Sequence, residues 1–215
     1  VADDGENSIV VAPGSNGQVT PDDVDAAKGM IQSADVVLMQ LEVPVPAVVH
    51  ALSLGQKNGA INILNPAPAT DIGADAIELV DWMTPNETEA AYLTGTVVDS
   101  RDSALAAAEC LRSDGARNVL VTLGAAGSIG CTCDGIVDVP SLQVDAQDTV
   151  AAGDAYSGAF AVAIGQRRPL GEAMRFASQV AAYSVCRHGA QPSMPHMEEL
   201  TQFLREHESD HQESH

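Results

Sequence analysis

Short apolar runs alternate with helix-like segments along the chain. The runs at residues 35–40, 60–64 and 118–122 have the length and composition of strands buried within a parallel sheet. A segment with helical periodicity, residues 46–57, lies between the first two runs. Strands that alternate with helices in this way predict an α/β fold: a doubly wound, mostly parallel sheet with helices on both faces.

The remaining predicted elements complete a single domain. An Asp134-Gly135 pair between two short apolar runs predicts a β-hairpin over residues 128–139. Further elements are predicted as helices at residues 20–33, 87–93, 100–112, 170–187 and 196–205, and as a strand ending in a turn at residues 7–14. We expect one domain over residues 1–205, followed by a polar, solvated tail over residues 206–215.

Residues 148–160 form a turn of small residues that runs directly into an apolar helix. Ala151, Ala152 and Gly153 let their backbone N–H groups approach a ligand closely, and N–H groups at a helix start favour anions such as phosphate. Asp154 in the first turn then suits a general base, a role worth a factor of roughly 10²–10⁴ in rate. The alternative is that Asp154 only stabilises the helix start, by about 0.3–1 kcal/mol.

We expect two further motifs to lie beyond the carboxyl ends of the strands, where ligands of parallel sheets bind. Asn86 and Glu89 share one face of a helix start and suit a hydrated Mg²⁺, although helix capping alone explains the same spacing. The loop of residues 123–127 is rich in glycine and alanine and suits the approach of a nucleotide, as a weak signal on its own.

The charge of the chain is strongly negative, with 30 acidic against 10 basic residues and a formal net charge of −20. Nucleic acid and anionic membranes are therefore poor partners, since both require a basic face. An apolar content of 45% argues against disorder. Many carboxylates together with only two lysines are typical of a protein adapted to a high-salt cytoplasm.

Two other observations bear on location. No apolar run approaches the length of a membrane span, and no secretory leader is visible in the sequence. Cys131 and Cys133 alternate on a predicted strand, but no further Cys or His has a suitable spacing for a shared metal ion. We therefore expect reduced thiols and a cytoplasmic protein.

With these motifs in place, residues 5–204 resemble the PfkB family of sugar kinases. Residues 148–160 are similar to a signature of that family, with Ala151 where glycine is commoner. Within the family, the resemblance is to the ribokinase branch, and it is carried by residues 5–9, 14–16, 40–42, 65–69 and 187–193.

The resemblance implies a role for each matching residue. It assigns the catalytic base to Asp154, a sugar contact to Glu42, and the water-mediated binding of Mg²⁺ to Asn86 and Glu89. The anion hole falls on Ala151, Ala152 and Gly153. Nucleotide contacts fall on Asn86, Thr122, Leu123, Gly124, Ala125, Ala126, Gly127, Gly153 and Ser178. A monovalent cation, K⁺, would be held mostly by backbone carbonyls in loops that contain Asp148, Val150, Ser184, Arg187, Gly189 and Ser193.

The implied activity is ATP-dependent phosphorylation of the primary 5-hydroxyl of D-ribose, with Mg²⁺ and K⁺ as cofactors and a homodimer as the assembly. Members of the family carry roughly a further third of chain before this segment, which implies that the first strands, most of the lid and most of the sugar pocket are missing here. Two alternatives stay open: a non-catalytic nucleotide-binding remnant, and a related kinase that acts on another sugar or nucleoside.

Overall fold

A computed structural model describes residues 13–212, and the side chains of residues 13–207. The strand predicted within residues 7–14, the motif at residues 5–9 and the implied lid portion therefore lie almost wholly outside the described residues. Within the described part of the chain, no helix is long and apolar enough to cross a membrane.

The centre of the fold is a six-stranded sheet whose strands lie in chain order. The strands are β1 (Val36–Met39), β2 (Ile61–Leu64), β3 (Trp82–Met83), β4 (Asn118–Thr122), β5 (Ser128–Thr132) and β6 (Gly135–Val139). β1 to β4 are parallel, whereas β5 and β6 form an antiparallel hairpin on the edge of β4. The predicted mostly parallel α/β sheet is confirmed.

Nine α-helices surround the sheet in the described residues. They are α1 (Pro21–Ala26), α2 (Lys28–Gln32), α3 (Val45–Asn58), α4 (Ala74–Ile77), α5 (Glu87–Thr94), α6 (Arg101–Ser113), α7 (Ala152–Gly165), α8 (Leu170–Val185) and α9 (Met197–Gln212). Alternate residues of one strand face opposite layers: Val119 and Val121 of β4 pack in one apolar cluster and Leu120 in the other. The predicted helices on both faces are therefore present.

Three predicted boundaries are wrong. The helix predicted at residues 20–33 is broken at Ala27, which has φ −94° and ψ 5°, close to the poor helix former Gly29. The hairpin turn is Cys133-Asp134, since Thr132 pairs with Gly135, so Cys133 is an exposed turn residue rather than a strand residue. The last helix does not end at residue 205: it continues to Gln212, and the ring of His207 packs on Phe203.

Helix α7 runs antiparallel to β1, and this direction positions the candidate site. Gly165 at its C-terminal end lies so close to the start of β1 that an added Cβ atom would be 3.0 Å from Val36. Asp154 at its N-terminal end bonds to Gln40, directly after β1. The N-terminus of α7 therefore lies at the edge of the sheet where the parallel strands end.

Candidate active site

The N-terminus of α7 has backbone N–H groups free to bind an anion. Ala151 precedes the helix in the left-handed conformation, with φ 62°, and no side chain of residues 13–207 caps the helix. The N–H of Ala152 makes a long bond of 3.3 Å to the Thr149 carbonyl, and those of Gly153 and Asp154 have no partner within residues 13–212. Uncapped N–H groups at the start of a 14-residue helix are well suited to phosphate.

Asp154 extends from this helix start toward the ends of β1 and β2. Its Oδ1 accepts a hydrogen bond of 2.7 Å from Nε2 of Gln40, and within the described residues it forms no salt bridge. A cavity of about 260 Å³ is lined by Leu38, Met39, Gln40, Asn65, Asp154 and Ser157. A carboxylate that is not neutralised by a cation and faces a cavity has the geometry of a general base.

Asn65 lines this cavity and connects the residues that follow β1 and β3. Its Nδ2 donates to the Thr84 carbonyl at 2.9 Å, and its Oδ1 lies 3.4 Å from Nε2 of Gln40. Glu42, the predicted sugar contact, is exposed on the loop after β1 and does not line the cavity. The structure thus brings Gln40, Asn65 and Asp154 together at the cavity, whereas Glu42 is not part of the cavity lining.

The start of helix α7 is anchored to the hairpin by Tyr156. Its hydroxyl shares a buried hydrogen bond of 2.8 Å with Ser128 of β5, and burial raises the pKa of Tyr156 well above its ordinary value. Tyr156 therefore stays neutral and keeps the first turn of α7, with Asp154, in place against the sheet.

Asn86 and Glu89 form a reciprocal cap at the start of α5. The Asn86 side chain accepts from the Glu89 N–H, and the Glu89 carboxylate accepts from the N–H and Nδ2 of Asn86, each at 2.9 Å. Glu89 is only 7% exposed, and burial raises its pKa, against the opposing effect of the bonds from Asn86. The capping interpretation is confirmed, since both halves of the reciprocal cap are present.

The position of Asn86 connects this cap to the predicted nucleotide loop. Asn86 and Thr122 form an isolated parallel β-bridge, in which the Thr122 N–H donates to the Pro85 carbonyl at 3.0 Å. Within the described residues, no three His, Cys, Asp or Glu side chains cluster as a metal site.

The loop after β4 is a tight 3₁₀ turn at Gly124–Ala126. An added Cβ atom on Gly127 would lie 2.2 Å from the Val139 carbonyl oxygen, so only glycine fits at this φ of 100°. Side chains hold the outward carbonyls: Arg101 donates to that of Ala126, whereas Ser141 and Gln143 donate to that of Ala125. Ser178 is buried on α8, and no described hydrogen bond links it to this loop.

The predicted cation loops lie together next to the start of α7. The Asp148 carboxylate accepts from the N–H groups of Gly189 at 2.9 Å and Val150 at 3.0 Å, which hold the pKa of Asp148 below its ordinary value. Ser184 and Ser193 share a buried hydroxyl bond of 2.8 Å.

Arg187 is the member of this predicted set whose side chain points elsewhere. Its guanidinium stacks 3.4 Å from the centroid of the Tyr183 ring and donates to the Tyr183 carbonyl. Its backbone carbonyl is thus the group of Arg187 that is available to a cation.

Sequence reasoning missed two contributors to this site. Gln40 lies within residues 40–42, which indicated only the family resemblance. Its hydrogen bond to Asp154 joins two residues that are 114 positions apart in the chain. Arg101 is the first residue of α6, where a basic side chain opposes the helix dipole, and that unfavourable placement was the available signal.

Comparisons with known proteins agree with this geometry. Residues 1–197 match the family model described as pfkB family carbohydrate kinase. A ribokinase of Haemophilus influenzae is 40% identical over 204 residues, which cover 95% of this chain and 67% of that protein. A deoxyribokinase of Salmonella typhi is 39% identical over 199 residues, which cover 92% of this chain and 65% of that protein.

A solved structure gives the same result. The ribokinase of Arabidopsis thaliana complexed with ribose and ATP aligns with a TM-score of 0.86 at 30% identity, covering 94% of this chain and 66% of that one. The chain thus spans about two thirds of the length of the relatives that it matches.

Proposed function

The chain belongs to the pfkB family of carbohydrate kinases, and from this we infer that it carries the phosphate-transfer site of an ATP-dependent kinase for the 5-hydroxyl of D-ribose. The observation that carries the proposal is Asp154, which faces a cavity from a helix start with free N–H groups at Gly153 and Asp154. The identity to relatives named ribokinase supports the choice of sugar.

The proposed reaction is an in-line transfer. Asp154 takes the proton from the sugar hydroxyl as its oxygen bonds to the terminal phosphorus of ATP, and the bond from that phosphorus to the bridging oxygen breaks to release ADP. The N–H groups of residues 151–153 and of Asp154 stabilise the negative charge on the moving phosphoryl group. The loop of residues 122–127 holds the nucleotide.

The two implied cations fit the residues present. Asn86 and Glu89 would hold Mg²⁺ through water, since a hydrated Mg²⁺ needs few protein ligands and the Glu89 carboxylate has no cationic partner among the described residues. The backbone carbonyls around Asp148, Val150, Ser184, Arg187, Gly189 and Ser193 would hold K⁺. Bound Mg²⁺ supplies charge neutralisation on the polyphosphate.

A substitution of Asp154 tests the proposal directly. In the full-length gene product, we expect Asp154→Asn to lower kcat at least 100-fold, with ATP affinity by calorimetry within about threefold. The matched control is Glu172→Gln, because Glu172 is also an exposed acid in the first turn of a helix, α8. A loss under tenfold in Asp154→Asn, or an equal loss in the control, would reject the base role.

A second substrate is favoured by one observation. A relative named deoxyribokinase is as similar to the chain as the ribokinases are, so 2-deoxyribose is the second candidate. Comparing kcat/KM for ribose, 2-deoxyribose and a nucleoside in the full-length product decides between them. Nucleotide binding without binding of any sugar would instead favour the non-catalytic remnant.

Location and assembly belong to the same proposal. A cytoplasmic homodimer adapted to high salt is supported by the acidic composition and by the family resemblance. Light scattering of the full-length product at several concentrations tests the dimer.

A further inference from the structure

Gln40 connects the end of β1 to the start of α7. It directly follows β1, is half-buried, and lines the same cavity as Asp154. Its Nε2 lies 2.7 Å from Oδ1 of Asp154, and this is the one side-chain hydrogen bond that Asp154 makes within residues 13–207. No salt bridge reaches Asp154 from the same residues, and Glu42, the nearest acid along the β1 loop, makes no hydrogen bond to it.

The orientation of the Gln40 amide follows from its two hydrogen-bond acceptors. An ionised carboxylate only accepts hydrogen bonds, so the group that faces Asp154 is the NH₂. Asn65 reinforces this orientation: its Nδ2 must donate to the Thr84 backbone carbonyl, which turns its Oδ1 toward Nε2 of Gln40. Two acceptors, Asn65 Oδ1 at 3.4 Å and Asp154 Oδ1 at 2.7 Å, thus share the two hydrogens of one amide.

Two consequences follow for Asp154. With Oδ1 bound to Gln40, the rotamer of the carboxylate is restrained, and Oδ2 accepts no hydrogen bond within the described residues. Both features prepare a base, whereas an amide neither gives nor takes a proton itself.

We propose that Gln40 is a positioning residue for Asp154, whose amide holds one carboxylate oxygen so that the other faces the substrate hydroxyl. This inference rests on the base role of Asp154 in the proposed function. It adds a residue that acts through the base rather than on the sugar or the nucleotide.

Kinetics of Gln40→Met and Gln40→Glu in the full-length gene product test the proposal. The Met variant removes the donor at similar size: we expect kcat to fall about 10- to 100-fold, with KM for ATP within about twofold. ATP affinity measured by calorimetry should also stay within about twofold, because the amide acts on Asp154 and not on the nucleotide. The Glu variant loses the donor and places a like charge against Asp154, so we expect its loss of kcat to be at least as large.

The control is Gln56→Met, because the side chain of Gln56 on α3 donates, among the described residues, only to the Glu78 carbonyl, at 3.3 Å and away from the cavity. Its kcat and KM should match those of the unaltered protein. If neither Gln40 variant binds ATP in calorimetry, Asn65→Asp is the substitute. This variant loses the bond to the Thr84 carbonyl that orients the Gln40 amide, and it should lower kcat while KM for ATP stays within about twofold.

The outcomes separate this inference from the proposed function. A kcat that stays within about twofold in the Gln40 variants, or in the substitute, overturns the inference. So does a variant that still binds ATP but whose ATP affinity falls in parallel with kcat, because a link that served only to join β1 to α7 would loosen the helix start that binds phosphate. If Asp154→Asn keeps its activity, the base role and the Gln40 proposal fall together. If Asp154→Asn is inactive while the Gln40 variants keep their kcat, only the Gln40 proposal falls.

Discussion

Two acids stand at helix starts on the same edge of the sheet, and their surroundings differ. Glu89 is buried and engaged on both carboxylate oxygens by Asn86, so its contacts are those of a cap. Asp154 is exposed and bonds to Gln40 through one oxygen, and its other oxygen has no hydrogen-bond partner in the described part of the chain. Sequence spacing alone offers the same two interpretations for both residues, and burial with partners separates them.

Replacing Glu89 separates stability from function. Because burial raises the pKa of Glu89 in the folded protein, its charge opposes folding above that pKa, and the penalty disappears as the pH falls through it. Gln can still accept from the Asn86 N–H, but its NH₂ cannot accept from Nδ2 of Asn86, so the loss of one hydrogen bond offsets the relief of the buried charge. We expect Glu89→Gln to leave the free energy of unfolding at pH 7 within about 1 kcal/mol or to raise it, whereas the Mg²⁺-dependent kcat/KM falls about tenfold or more.

Urea unfolding at pH 7 and pH 5, with kinetics at several Mg²⁺ concentrations, measures both effects. Glu87→Gln is the control, since Glu87 lies in the same first turn outside the reciprocal cap. Unchanged Mg²⁺ dependence in Glu89→Gln would leave this residue as a cap alone.

At this scale, the sequence predicted the helix start and its acid but not the strain before it. Small residues and Asp154 were sufficient to indicate an anion site. The left-handed conformation of Ala151 was not predictable, because a residue other than glycine pays about 1–2 kcal/mol for it, and only the packing of the folded chain imposes it. The partner of Asp154 was equally hidden, since no local pattern connects Gln40 to a helix more than 100 positions away.

At the scale of elements, the predicted nucleotide loop, residues 122–127, is held in place by its neighbours. Arg101 at the start of α6 binds the Ala126 carbonyl, and its Nε donates to Asp138 of β6 at 2.9 Å. Ser141 and Gln143, which follow β6, hold the Ala125 carbonyl. A helix, a strand and the segment after it therefore fix a turn that would otherwise be flexible.

Removing the Arg101 contact should loosen this loop. Exposed ion pairs contribute about 0.2–1 kcal/mol, so we expect Arg101→Gln to raise KM for ATP about two- to fivefold, with kcat within twofold. The effect should shrink in concentrated KCl as the pair is screened. The control is Arg117→Gln, which removes the surface pair of Arg117 with Asp81, outside the nucleotide loop. Equal KM values in both variants would contradict a role for Arg101 in the loop.

The errors at this scale have local causes. Strand β3, Trp82–Met83, was not predicted because two residues are too few to show a strand pattern. The hairpin was predicted, but its turn was shifted by one residue because Gly135, with φ 129°, resembles a turn residue while pairing within β6. The polar C-terminal segment lacked an apolar stripe, so the extension of α9 depends on His207 and Phe203, which sequence periodicity does not reveal.

At the scale of the whole molecule, charge is the dominant feature. The chain has 20 more acidic than basic residues, and three ion pairs form among the residues whose side chains are described. Most carboxylates are therefore not neutralised, and mutual repulsion favours expansion in dilute buffer. Salt shortens the range of that repulsion from about 10 Å at 0.1 M to about 3 Å at 1 M.

This repulsion predicts that the melting temperature rises with salt. Between 0.1 and 1 M KCl we expect an increase of several degrees, since a gain of about 1 kcal/mol shifts the midpoint of a domain of this size by about 2–4 °C. Most of the rise should occur below 1 M, where screening changes fastest, and sucrose at equal osmolality serves as the control because it adds no ions. Calorimetric scans at neutral pH measure both series. Sucrose adds no ions and therefore does not screen charge. A melting temperature that rises equally in sucrose, or that falls in KCl, would mean that repulsion between the surface carboxylates does not limit stability.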